Sequence, residues 1–167
     1  LSWARHLLAL RSLQTRTGGI TEFVPLPFVH MEAPMYLQGQ ARPGPTWREV
    51  LLMHAVSRLA LHPVIPNIQV SWVKLGSEGA AACLNAGAND LGGTLMNESI
   101  SRAAGADIGQ ELPPQNMDEL IRSIGREPAQ RTTLYKTADA ERVKASYRAM
   151  ELEPIRNRPA RALKIAS

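Results

Sequence analysis

The sequence predicts an α/β fold: half of a (β/α)8 barrel, with about four parallel βα units. Three observations predict it. Apolar stripes at helical spacing alternate with short strand-like runs, beginning with a helix and closing with one. The connections between most of these runs are short, as in parallel βα units. Hydrogen-bonding side chains gather just past the ends of the strand-like runs, where such folds keep their chemistry. Eight units need at least about 200 residues, and the chain has 167. It is therefore expected to be the C-terminal half, with the other half lying before Leu1, which is not an initiator methionine. A small doubly wound sheet is the rival architecture, but no G-x-G-x-x-G or phosphate-loop motif stands where that fold needs one.

In chain order, Trp3, Leu7 and Leu10 recur at helical spacing until Thr17-Gly18-Gly19 ends the helix. Residues 20–29 read as a strand that Pro25 and Pro27 must bend or cap. Residues 30–45, rich in proline and glycine and without periodicity, read as a functional loop. Thr46 and Glu49 match a capping box. The helix they open places Leu52, Ala55, Val56 and Leu59 on an apolar stripe and His54, Ser57 and Arg58 on the solvated side. Pro63 and Pro66 close it. Residues 67–72 are the second strand, followed by a small-residue helix ending near Gly87 in which Cys83 reads as a packed thiol. Residues 86–91 are the third strand. After Pro113-Pro114, Asn116 and Glu119 read as a cap, with Met117, Leu120, Ile121 and Ile124 as a core stripe. Residues 130–135 are the fourth strand and residues 139–150 the last helix.

The chain is organised around residues 88–105. Gly92-Gly93 follow the third strand and allow a sharp turn or the close approach of a ligand. Thr94, Asn97, Glu98, Ser99, Ser101 and Arg102 come directly after. A glycine turn leading into a capped, solvated helix accounts for the same residues without any function.

Composition, at 44% hydrophobic and 5% aromatic residues, is that of a globular domain with one core. No apolar run approaches the roughly 18 to 20 residues that span a bilayer, and no signal peptide is visible. A single cysteine excludes an internal disulfide and suits a cytoplasmic protein. The net charge of +4 collects late, at Arg142, Lys144, Arg148, Arg156, Arg158, Arg161 and Lys164. Without interleaved aromatics or a reading motif, this argues for a solvated tail rather than a nucleic-acid or membrane surface. The expected division is residues 1–137 as the half barrel and residues 138–167 as a C-terminal helix and basic, flexible tail.

In a barrel the strand ends share one mouth. The first strand would bring His30 and Glu32, with Glu22 pointing inward. The second would bring Gln69, Ser71, Trp72 and Lys74, and the third Asn89, Asp90, Thr94, Asn97 and Glu98, with Arg102 one helical turn on. The fourth would add Tyr135 and Lys136. Such a mouth, with one aromatic surface and few charges, suits a neutral, heteroatom-rich ligand such as a nucleoside or pyrimidine better than a polyphosphate. No Ser-His-Asp order, paired-carboxylate signature or zinc-like cluster is present.

Four segments carry a family resemblance: TGGITEFVPLPFVH at 17–30, GQARPGPT at 39–46, NIQVSWVKLG at 67–76 and AGANDLGGTLMNESISR at 86–102. In this order they resemble the FO synthase family, specifically its tyrosine-using half, over roughly residues 3–135. Its relatives in menaquinone synthesis, aminofutalosine synthase and cyclic dehypoxanthinyl futalosine synthase, are the nearest alternative, and a non-catalytic remnant is the third. The resemblance implies a radical S-adenosylmethionine barrel that uses S-adenosylmethionine and a 4Fe–4S cluster. It implies transfer of the 4-hydroxybenzyl group of tyrosine to 5-amino-6-(D-ribitylamino)uracil, with a companion domain or subunit closing the deazaflavin ring.

The family's three-cysteine C-x3-C-x2-C motif is absent, and Cys83 alone does not replace it. Ile108 stands where the family is expected to carry histidine. The chain by itself is therefore expected to be inactive. The residues expected to meet substrate or S-adenosylmethionine are Glu22, His30, Gln69, Ser71, Trp72, Lys74, Asn89, Asp90, Thr94, Asn97, Glu98 and Arg102.

Overall fold

A computed structural model describes residues 1–95, 98–106 and 110–153. Helix α1 (Ser2–Thr17) buries Leu7 and Gln14. The Gln14 side chain donates to the Ile20 carbonyl at 2.9 Å and the Val64 carbonyl at 3.0 Å, and accepts from the Ile20 amide at 2.7 Å. One amide side chain thus fixes where the chain leaves α1. The loop that follows contains one short helix, α2 (Pro34–Leu37).

Helix α3 (Trp47–Leu61) opens on the expected capping box, with Thr46 and Glu49 exchanging bonds. Its buried face differs from the expected one. Val50, His54, Ser57 and Leu61 are buried, whereas Leu52, Val56 and Leu59 are 48%, 45% and 79% exposed. Two of the four inward positions are polar, so hydropathy favoured the wrong side. His54 is buried with its Nδ1 2.9 Å from the Val50 carbonyl one turn back and its Nε2 without a partner among the described residues, and the Ser57 hydroxyl meets Met53 Sδ.

Three short extended segments lie side by side. Phe23 bridges Ile68 and Gln69 bridges Asp90, both in parallel. Phe23 N–H donates to Asn67 at 2.9 Å and Gln69 N–H returns to Phe23 at 3.0 Å. Asn89 N–H donates to Ile68, and Val70 N–H to Asp90, each at 2.9 Å. Sequential parallel neighbours are what βα units predict, but each contact is an isolated bridge rather than a strand of several residues. Pro25 and Pro27 offer no amides beyond the first bridge, and helix α4 (Trp72–Asn85) begins directly after the second segment. A kink at Gly76, with φ of 68°, divides that helix.

The predicted fourth strand does not join them. Arg131 bridges Thr137 in antiparallel fashion, and the chain between them turns through Tyr135 at φ 57°. The Arg131 side chain is instead anchored on the first and third segments, and the Tyr135 side chain on the first, as described below.

Alternation along the extended backbone sorts the side chains. Ile68 and Val70 enter the core with Val50, Trp72, Ala80, Cys83 and Leu84, while a second cluster of Leu7, Leu61 and Ile65 joins α1 to α3. Glu22, Gln69 and Asp90 are left for the opposite face. Helix α5 (Ile100–Ala103) follows the third segment. Helix α6 (Pro114–Ser123) opens with Pro113 as N-cap and Pro114 at its first position, not with the expected Asn116 and Glu119 cap. Its Met117, Leu120 and Ile121, with Ile124 just after it, pack on the core as expected. Helix α7 (Ala140–Ser146) is capped by Asp139 and stops short of Met150. Tyr147 Oη then donates to Asp118 at 2.8 Å.

Candidate functional site

The face opposite the core lines an open cavity of about 750 Å³. Of the expected site residues, Glu22, Gln69, Asn89, Asp90 and Thr94 line it. Arg131, from the C-terminal turn, also lines it, and Tyr135 from the same turn stands against Glu22 and Arg131. Arg131 grips the Asp90 carboxylate with two nitrogens, Nε on Oδ2 and Nη2 on Oδ1, the latter at 2.8 Å. Nη2 also reaches Glu22 Oε2 at 3.5 Å. Tyr135 Oη donates to the same Glu22 oxygen, and the Arg131 guanidinium stacks over the Tyr135 ring 4.0 Å from its centroid. The Asp90 hydrogen bond holds the guanidinium pKa above its usual value. Burial, together with the Glu22 hydrogen bond, pushes the Tyr135 phenol up, so it stays a proton donor.

The turn after Asp90 is built to fit. The Gly92 amide donates to Asp90 Oδ1 at 2.6 Å, and Gly92 itself adopts φ 77°. A Cβ there would stand 2.6 Å from Gln69 Nε2, so Gln69 packs flat against the glycine. Trp72 was expected to give the mouth an aromatic surface. It is instead 3% exposed, and its indole donates to the Gly93 carbonyl at 2.9 Å. Asn89 is also committed, its side-chain oxygen accepting from Ile68 N–H at 2.8 Å and Arg58 Nη2 at 2.7 Å.

Lys74, Glu98 and Arg102 are not among the residues that line the cavity and, with Ser101, form a second group. Lys74 Nζ donates to Ser101 Oγ at 2.9 Å, the Ser101 amide donates to Glu98 Oε1 at 3.0 Å, and Arg102 Nε donates to the Glu98 carbonyl at 2.7 Å. Glu98 thus serves as a cap for α5. Ser71 is buried directly before α4. His30 lies elsewhere: its Nδ1 accepts from the Gly44 amide at 3.1 Å and its ring meets Tyr36 edge-on, so it shapes the loop. Asn97 and Ile108 fall outside the described residues.

Arg131 was missed because it sits inside a run that reads as a strand. Its signal was long-range, an arginine in one predicted strand that answers acidic residues in two others, Glu22 and Asp90. Arg58 was missed as well. It donates to Gly87, Pro66 and Asn89 at 2.8, 2.6 and 2.7 Å, clamping the turns that lead into the second and third segments.

A family model described as the CofH/MqnC C-terminal region matches residues 17–144. The chain belongs to this family. The CofH/MqnC match agrees with the resemblance carried by the four sequence segments. Over 134 residues the chain is 58% identical to the 5-amino-6-(D-ribitylamino)uracil–L-tyrosine 4-hydroxyphenyl transferase of Methanopyrus kandleri, covering 80% of this chain and 36% of that protein. It is 54% identical over 144 residues to the FO synthase of Streptomyces coelicolor, covering 86% of this chain and 17% of that protein. With the FO synthase of Mycobacterium leprae it shares 56% identity over 133 residues, or 80% of this chain and 15% of that protein. The chain therefore spans only about a third or less of the relatives it matches.

The residues present do not fit an iron–sulfur cluster. Cys83 is buried in α4 with no exposed surface, and burial pushes its thiol up to about 11. Among the described residues no group of three His, Cys, Asp or Glu side chains is placed to hold a metal. No helix among them is long and apolar enough to cross a membrane.

Proposed function

We propose that residues 1–137 form the C-terminal half of a radical S-adenosylmethionine-type barrel, with the C-terminal helix docked beside it. The complete enzyme transfers the 4-hydroxybenzyl group of tyrosine to 5-amino-6-(D-ribitylamino)uracil in the cytoplasm, and a companion domain or subunit closes the deazaflavin ring. The observation that carries this reading is the identity of 58% to the Methanopyrus kandleri transferase, whose name holds both substrates. Two features support the half barrel. Among the described residues the first extended segment bridges a neighbour on one edge only, and Leu26, Phe28, Met31, Met35 and Leu37 remain exposed beside it. Further strands would cover both.

In this reading S-adenosylmethionine and a 4Fe–4S cluster supply the radical chemistry, the cluster held by residues outside the chain. The chain's own part is to bind, orient and exclude water. Glu22, Gln69, Asp90 and Thr94 offer donors and acceptors at one end of the cavity, while Leu91, Met117 and Ile121 supply an apolar wall. Lys74, Glu98 and Arg102 hold the start of α5, Ser71 stands at the start of α4, and His30 shapes the loop after the first segment.

The test joins the chain to the upstream part of the Methanopyrus kandleri relative, reconstitutes iron and sulfide, and supplies ring-labelled tyrosine with the ribitylaminouracil. Label should appear in a uracil adduct. Turnover of dehypoxanthinyl futalosine in place of tyrosine would move the chain to the menaquinone branch of the family.

A further inference from the structure

We infer that Glu22, Asp90 and Arg131 form the subsite that takes the α-ammonium and α-carboxylate of an amino-acid substrate, here tyrosine. The inference rests on the transfer reaction proposed above and adds where the zwitterion sits.

The first argument is charge. Two carboxylates share one guanidinium, and Tyr135 contributes a neutral phenol held protonated by burial and by Glu22. The group is one positive charge short, and a carboxylate left half-paired in a partly buried site favours a cationic ligand group.

The second argument is unspent hydrogen-bonding capacity. Glu22 uses Oε2 for both Tyr135 and Arg131, and Oε1 has no partner among the described residues. Arg131 commits Nε and Nη2 to the carboxylates, whereas Nη1 gives one bond to the Thr132 carbonyl at 3.2 Å. A guanidinium carries five donors, so one N–H of Nη1 is left over. A free acceptor on a carboxylate and a free donor on the neighbouring arginine match the two ends of a zwitterion.

Accessibility agrees. The side chains with unspent atoms, Glu22 and Arg131, are 34% and 25% exposed, whereas Asp90, fully used, is 8% exposed. Asp90 is then the anchor and the other two are the ligand contacts. The cavity, at about 750 Å³, has room for a phenol ring against Leu91, Met117 and Ile121.

The methionyl end of S-adenosylmethionine carries the same zwitterion, so the test separates the two sources. The joined enzyme described above is used in equilibrium dialysis with L-tyrosine, tyramine, 3-(4-hydroxyphenyl)propanoate and S-adenosylmethionine. The wild type should prefer tyrosine to either truncated analogue by at least about tenfold. Arg131→Ala should erase the preference over tyramine, which lacks the carboxylate. Glu22→Gln should erase the preference over the propanoate, which lacks the ammonium. Affinity for S-adenosylmethionine should change less than about twofold in both. Both preferences surviving in both variants would overturn the subsite, and so would losses confined to S-adenosylmethionine. If Arg131→Ala does not fold, the isosteric Glu22→Gln decides alone. A wild type that fails to bind tyrosine overturns the transfer reading together with the subsite, whereas tyrosine binding indifferent to both variants overturns the subsite only.

Discussion

Trp72 and Gly93 are joined by an indole-to-carbonyl hydrogen bond of 2.9 Å. It ties the end of the second extended segment to the glycine turn after the third, and so sets the distance between two edges of the cavity. Trp72→Phe keeps most of the packing and removes the donor. Because Gly93 is exposed, water can replace the bond, and the expected loss is about 0.5–1.5 kcal/mol. Trp72→Ala should cost about 3–5 kcal/mol, since it also opens a cavity in the core. Urea unfolding of both variants measures the difference.

The glycine pair should divide in its response to substitution. Gly92 stands at φ 77°, with Gln69 Nε2 2.6 Å from where a Cβ would go, while Gly93 has nothing within 4 Å. Gly92→Ala is expected to destabilise by about 1–3 kcal/mol and to displace Gln69. Gly93→Ala is expected to stay within about 0.5 kcal/mol. Equal effects would show that the turn is freer than its geometry.

Cys83 should be inert. With its thiol buried and pushed up to about 11, it should resist alkylation at pH 8 until the chain unfolds. In the joined enzyme Cys83→Ala should leave iron content unchanged. Loss of iron in that variant would mean that this thiol ligates the cluster.

His54 gives a pH dependence with a definite sign. Burial lowers its pKa below the ordinary 6.5, outweighing the Val50 carbonyl. The unfolded chain therefore takes up a proton near pH 6.5 that the folded chain refuses until lower pH, so stability falls as pH drops below about 6.5 and is unaffected by this group above it. Wild-type protein should lose more of its melting temperature between pH 7.5 and 5.5 than His54→Leu does. Parallel losses would remove His54 as the cause.

Local chemistry was legible in the sequence and long-range pairing was not. The Thr46–Glu49 capping box, the break at Gly18 and the stripe of Met117, Leu120 and Ile121 all depend on residues a few positions apart, and all three are present. The inward face of α3 was misread because His54 Nδ1 and the Ser57 hydroxyl each find a partner within their own helix, which hydropathy does not register, although His54 Nε2 is buried without one among the described residues. The fourth strand was misread because the fate of residues 130–135 is decided by Glu22 and Asp90, 109 and 41 positions from Arg131. Gln69 and Asp90 were placed at strand ends and Glu22 within its strand, and all three line the cavity. Trp72 looked like a mouth residue because it too was placed at a strand end, although its indole turns inward to Gly93.

The most direct measurement is single-turnover product formation by the joined enzyme, with iron content and circular dichroism read on the same samples, for wild type, Glu22→Gln and Asp90→Asn. Each substitution removes one carboxylate charge at the cavity's polar centre with little change of shape. If that centre orients the substrate, each variant should lose about 10- to 100-fold in rate, or about 1.4 to 2.7 kcal/mol, with cluster and fold intact. Near-normal product from both would contradict the account, leaving the Arg131 cluster as a fastening for the C-terminal turn.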